Sequence, residues 1–244
     1  MSISGRPLAV VVSIILWTGI GIYSPSAQAT NSGWWHFWGG NSGGNTCVSN
    51  ESGTQSWQWQ AGLDQLTLNG NAYDNGSTLV LTRNRNEAGS AYWKIPFDLY
   101  TESASARSFS AAFSFRIDNA QGISDGDGQG GDGLTFVINR TDQGLGKKGA
   151  GLGYQGLHDS VAVEFDSFDN RWIDRNSGNH VGINASGRVR SKHLRRVEQR
   201  LNDGNIWYAW VDYRGDQRKL EVRLAQTIDR PDKPFMSKRI GIPW

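Results

Sequence analysis

Apolar and polar residues alternate with a period of two in segment after segment of this chain. That pattern restricts the fold to extended strands with one face on a core. Phe109, Ala111, Phe113, Phe115 and Ile117 share one face of such a strand, with Ser110, Ser114 and Arg116 on the other. Leu134, Phe136 and Ile138 repeat the pattern, and Val161, Val163 and Phe165 alternate with Ala162, Glu164 and Asp166. Trp207, Ala209, Val211 and Tyr213 form one face of a later strand, followed by Leu220, Val222 and Leu224 alternating with Lys219, Glu221 and Arg223. Residues 66–68 run into the turn Asn69-Gly70, and residues 79–82 follow Asn75-Gly76. The one fair helix candidate is residues 192–201, and its period is poor. Glycine is 31 of 244 residues and tryptophan 11, which suits many turns and aromatic binding loops. The expected fold is an all-β sandwich.

Lys plus Arg is 25 and Asp plus Glu is 23, so the net charge is only +2. A nucleic-acid binder normally carries a strong basic excess, so that class is set aside. The one cysteine, Cys47, excludes an internal disulfide and a Cys-rich zinc site.

Residues 1–29 read as a cleaved export signal. Arg6 gives a positive start, residues 8–22 are apolar without a charge, and Ala27-Gln28-Ala29 fits the small-residue cleavage pattern. The run is short for a membrane span of ~20 residues, so no stable span is expected after cleavage. The expected location is secreted or periplasmic. Residues 30–56 read as a Gly/Ser/Asn/Trp-rich arm without strand alternation, in which Trp34, Trp35, Phe37 and Trp38 pack on the body. Residues 57–244 are left as the main domain.

The chemistry concentrates in residues 161–184, VAVEFDSFDNRWIDRNSGNHVGIN. On a strand, Glu164 and Asp166 leave the same face about 7 Å apart. Neighbouring carboxylates repel unless they are protonated, catalytic or bound to a cation. Asn170, Asp174 and His180 follow, which gives three carboxylates, an amide and an imidazole within 17 residues. Carboxylate, amide and backbone oxygens suit calcium, whereas an imidazole added to carboxylates suits manganese or another first-row metal. Glu164 and His180 would serve the transition ion, Asn170 and the Phe168 carbonyl calcium, with Asp166 and Asp174 bridging both.

This stretch resembles the metal loop of the legume-type (L-type) lectins. Val163-Glu164-Phe165-Asp166-Ser167-Phe168-Asp169-Asn170, then Asp174, then His180-Val181-Gly182-Ile183 follow the family's pattern in order. Ser108 to Phe115 resembles the family's Ser-Phe-Ser strand, Gly131-Asp132-Gly133-Leu134-Thr135-Phe136 its Ala-Asp-Gly-Leu-Ala-Phe segment, and residues 207–224 its paired late strands. The resemblance spans residues 57–239 and implies a jelly-roll β-sandwich of the concanavalin-like type, non-catalytic, with calcium and manganese as cofactors. It implies metal ligands at Glu164, Asp166, Phe168, Asn170, Asp174 and His180. It implies carbohydrate contacts from Asp132, from a loop glycine taken as Gly153, and from Phe168 and Asn170. A cis bond before Asp132 belongs to the family's pattern, although Gly131 stands where the family usually has alanine. The partners implied are glycans or polysaccharides, with a homo-oligomer compatible with the sheet surfaces. The expectation is a bacterial, secreted member that stops before the family's last strands.

Two rivals come from other classes. A jelly-roll glycoside hydrolase also places acids two apart on a strand, but its third acid would fall where Phe168 stands. A structural or adhesive surface module would use the sandwich as a scaffold only. Asp125-Gly126-Asp127 reads as a solvated loop. Arg188, Arg190, Lys192, Arg195, Arg196 and Arg200 read as a solvated strand edge, with an anionic polysaccharide or lipid headgroups as the alternative partner. Asn50, Asn75, Asn139 and Asn184 lie in glycosylation sequons.

Overall fold

The computed structural model describes residues 64–242, apart from 65, 76–77, 95–98, 101–105, 119–122 and 141–143, together with the backbone of four earlier strands. The strands in chain order are β1 (Ala9–Leu16), β2 (Ile20–Ile22), β3 (Thr46–Ser49), β4 (Gln55–Gln58), β5 (Leu66–Gly70), β6 (Tyr73–Asp74), β7 (Leu79–Val80), β8 (Gly89–Trp93) and β9 (Phe109–Ile117). They continue with β10 (Ser124–Asp125), β11 (Gly128–Gln129), β12 (Asp132–Asn139), β13 (Ser160–Asp166), β14 (His180–Ala185), β15 (Leu194–Arg196), β16 (Ile206–Arg214), β17 (Lys219–Ala225) and β18 (Met236–Arg239).

Two seven-stranded antiparallel sheets make a sandwich. One runs β15-β14-β13-β12-β1-β8-β5 and the other β18-β17-β16-β9-β2-β7-β6. The alternating apolar faces meet between them. Phe113 of one sheet stacks on Phe136 of the other at 5.8 Å, and Phe115 tilts against Phe165 at 5.2 Å. Each such ring withdrawn from water contributes about 1.5–3 kcal/mol, so this layer drives the assembly. The all-β sandwich expected from the alternation is the observed architecture.

The two faces of the first sheet are not alike. Along β13 every residue is buried, including Glu164 and Asp166 on the face away from the core. Loops fold over that outer face, so a strand that alternates in sequence is covered on both sides.

One local expectation changes, and two segments near the N-terminus carry strands. Residues 192–201 form the short edge strand β15 and turns, not a helix, because pairing to β14 outweighs a weak helical period. The arm contains a hairpin, β3 with β4, despite its lack of alternation. Cys47 lies in β3, and Trp34, Trp35, Phe37 and Trp38 lie outside the described residues. Part of the apolar run read as an export signal is paired: Ala9–Leu16 lies between β12 and β8, and Ile20–Ile22 between β9 and β7. Among the described residues, no helix is long and apolar enough to cross a membrane. The sequons at Asn139 and Asn184 are buried, so the folded chain cannot present them.

Candidate functional site

Strand pairing assembles the acidic cluster. In the β13–β14 register Asp166 faces His180 and Glu164 faces Gly182, so one outer face carries the carboxylates and the imidazole. Gly182 is required there, because a Cβ at that position would lie 2.2 Å from Glu164 Oε1. The loop after β13 then turns back on itself, with Arg171, Arg175 and Asn176 all at positive φ. That reversal brings Asp174 to the strands. Ligand atoms of Asp166, Asp174 and His180 all lie within 4.8 Å of one another, and all three residues are buried. His180 Nε2 stands 3.4 Å from Glu164 Oε1.

The electrostatics call for a cation. Burial, reinforced by Asp174 and Glu164, holds the Asp166 carboxyl well above the usual range. Burial also pushes Asp174 up to about 7, against the opposing Asn170 N–H and His180. Asp166 Oδ2 and His180 Nε2 are buried without a hydrogen-bond partner among the described residues. His180 Nδ1 lies 3.1 Å from Ser177 O, so donation there leaves the Nε2 lone pair facing the carboxylates. The donor set fits a first-row ion, and the loop oxygens beside it fit calcium.

A supporting layer escaped the sequence reading. Tyr154 Oη donates to Glu164 Oε2 at 2.8 Å, and the Ser191 hydroxyl donates to Glu164 Oε1. Asn184 Nδ2 donates to both Tyr154 Oη and Ser191 Oγ, at 3.0 and 2.8 Å. These groups come from three separate segments, so no local spacing announces them. Asp125 and Asp127, expected in solvent, instead brace the metal loop. Asp125 accepts from the N–H groups of Asp127, Gly128 and Asp169, and Asp127 accepts from Gly178 N–H at 2.7 Å.

The residues expected to meet a ligand gather beside this cluster, with one exception. The Gly131–Asp132 bond is cis. Ser167 donates to the Asp132 carbonyl from its N–H at 2.8 Å and from its hydroxyl at 3.2 Å. A Cβ on Gly131 would lie 2.7 Å from Phe168 Cβ, so glycine lets Phe168 sit against the cis bond. Phe168 N–H donates to Asp166 Oδ1 at 2.9 Å, and Asn170 N–H to Asp174 Oδ2 at 2.6 Å. Gly153 does not fit the donor role. It is buried, and its N–H is bonded to Lys147 O at 2.9 Å. The glycine beside the aspartate is Gly149, whose Cβ would stand 3.9 Å from Asp132 Oδ2. The Gly149-Ala150-Gly151 turn directly before Leu152-Gly153 was the signal for it.

The legume lectin domain model matches residues 56–242. An L-type lectin-domain containing receptor kinase VIII.2 of Arabidopsis thaliana is 33% identical over 186 residues, covering 72% of this chain and 26% of that protein. A lectin of Onobrychis viciifolia is 34% identical over 148 residues, covering 54% of this chain and 58% of that one. The crystal structure of basic winged bean lectin with Tn-antigen superposes with a TM-score of 0.59 at 26% identity, covering 72% of this chain and 75% of the other. The chain spans 26–29% of the length of three receptor kinases that it resembles.

Proposed function

The chain belongs to the legume lectin domain family, and on that premise we propose that it binds carbohydrate without catalysis, in a shallow site braced by calcium with manganese beside it. One observation carries the reading: Asp166, Asp174 and His180 converge in a buried cluster, the N–H groups of Phe168 and Asn170 bond to two of its carboxylates, and Ser167 of the same loop bonds to Asp132. Glu164, Asp166, Asp174 and His180 would hold manganese. Asp166, Asp174, Asn170 and the Phe168 carbonyl would hold calcium. When bound, the ions neutralise the clustered carboxylates and stiffen the loop.

The chain's own residues do the recognition. Asp132 offers a carboxylate to sugar hydroxyls, the Gly149 turn and Asn170 supply donors, and Phe168 presents its ring to the apolar C–H face. Because Asp132 is fixed through Ser167, little entropy is lost on binding. The winged bean relative carries a sugar antigen in its crystal structure, which supports the same use of the fold here.

The hydrolase alternative fits poorly. Glu164 and Asp166 are fully buried, and Glu164 is held by Tyr154 and Ser191, so a glycosidic bond has no access to either. The deciding experiment is a glycan array of the full chain with added calcium and manganese, and again after chelation. Metal-dependent hits are expected. Hits that survive thorough chelation, or no hits with metals present, would overturn the reading.

A further inference from the structure

Beside the metal loop lies a second surface that the proposed sugar site does not use. The loop carrying Trp172 and the loop after β14 are stitched together. Ser191 N–H donates to Ile173 O at 3.2 Å, Arg175 Nη1 to Lys192 O at 3.4 Å, and Arg196 Nη2 to Asn176 O. Arg190 sits over the Trp172 ring, 5.5 Å from its centroid. These contacts bring together the two segments that carry the exposed cations Arg175, Arg190, Lys192 and Arg196, with Arg190 on the Trp172 ring and Arg171 next to Trp172 in the chain.

Trp172 is 66% exposed, the most exposed large apolar side chain among the described residues. Between residues 171 and 196 the only acid is Asp174, which is buried in the metal cluster. Asp169 lies just before the strip and caps Arg171 N–H at 2.6 Å, and Glu198 lies just after it. Among the described residues, none of the five cations makes an ion pair. Two arginines that the sequence grouped with them point elsewhere: Arg195 lies over Phe235 at 4.5 Å, and Arg200 bonds to Gln129 O and Ser167 O. A chain of net charge +2 thus holds five exposed cations that make no ion pair among the described residues, with the exposed Trp172 ring under Arg190.

We propose that this strip binds an anionic polysaccharide, with Trp172 against the C–H face of a sugar ring and the cations paired to its carboxylate or sulfate groups. Trp172 follows Asn170 by two residues within a turn, at most about 7 Å of backbone, so one glycan can span both sites. One exposed ring gives a lipid surface little to bury, and the low net charge gives nucleic acid little long-range attraction. The ligand class rests on the lectin reading; the strip itself does not.

The test uses the full chain with metals. Binding is measured to dextran sulfate, hyaluronate and neutral dextran between ~50 and ~300 mM salt. Dextran sulfate, hyaluronate or both should bind and neutral dextran should not, and salt should weaken the binding steeply. Which of the two binds assigns sulfate or carboxylate. The triple variant Arg175→Ala, Arg190→Ala, Lys192→Ala should weaken it about tenfold or more. Trp172→Ala should weaken it several-fold, and a chain with Arg175→Lys and Arg190→Lys should keep much of it. Circular dichroism and the melting curve verify that each variant folds. Undiminished binding by a folded triple variant overturns the proposal. So does tighter binding of single-stranded DNA or of phosphatidylglycerol vesicles. An Asp132→Ala chain should retain dextran sulfate. If neutral glycans never bind but dextran sulfate does, the sugar-site reading fails and the strip stands.

Discussion

Ser167 donates twice to the Asp132 carbonyl, from its N–H at 2.8 Å and its hydroxyl at 3.2 Å. This pair fastens the residue expected to meet sugar to the loop that would hold the ions. Asp132→Asn removes the carboxylate charge and should abolish glycan binding while leaving the melting temperature near that of the parent. Ser167→Ala keeps the N–H bond and should weaken glycan binding only several-fold, with about 1 kcal/mol lost in stability. Titration calorimetry with an array hit measures the first effect, and thermal denaturation the second.

Tyr154→Phe tests the supporting layer. The substitution removes the hydroxyl that donates to Glu164 at 2.8 Å and leaves the ring in place. Metal affinity should fall about 10–100-fold, the range typical of outer-shell groups. Competition with a chromophoric chelator reads it directly. An unchanged affinity would remove Glu164 from the metal set.

Gly131→Ala would install the residue that the resembling family usually has, yet here it should be harmful. The new Cβ would lie 2.7 Å from Phe168 Cβ, and both chain segments are fixed. About 1–3 kcal/mol of destabilisation is expected from overpacking, with weakened glycan binding as Phe168 is displaced. Denaturant melts and the array measure the two consequences.

Asp125→Ala should loosen the metal loop without touching a ligand. It removes the acceptor for the N–H groups of Asp127, Gly128 and Asp169. A loss of about 2 kcal/mol or more is expected, since one side chain accepts all three bonds. Amide exchange at Asp169 should quicken in particular, and a uniform change across the chain would argue against a local brace.

Removing residues 1–29 should matter to the sandwich. Ala9–Leu16 pairs along eight residues of β12 and four of β8. Without it, both strands face an open slot, and such edges are prone to pair with other chains. A loss of about 3 kcal/mol or more is expected, roughly 6–12 °C in Tm for a chain of this size. An unchanged melt, without gain in hydrophobic-dye binding, would show that the run contributes nothing to the folded domain.

Much of the site was legible because it is local in sequence. Glu164, Asp166, Asn170, Asp174 and His180 fall within 17 residues, and a strand of period two puts the first two on one side. The misreadings lie where partners are distant. Gly153 looked like the exposed donor, yet Lys147 O takes its N–H, and Gly149 stands by Asp132 instead. Asp125 and Asp127 looked solvated, because the amides that engage them at 169 and 178 are over 40 residues away. Residues 192–201 looked faintly helical, because the β14 edge they pair with cannot be seen from within the segment.

The sequence by itself determined the main core strands, their inward faces and the local cluster of Glu164, Asp166, Asn170, Asp174 and His180, since each depends on side-chain type at fixed short spacing. Only the tertiary structure decided which loops cover the outer face of β13, which bonds hold Glu164, and which cations share a surface with Trp172. Those outcomes depend on strand register and loop reversal, which bring together atoms that the chain keeps far apart.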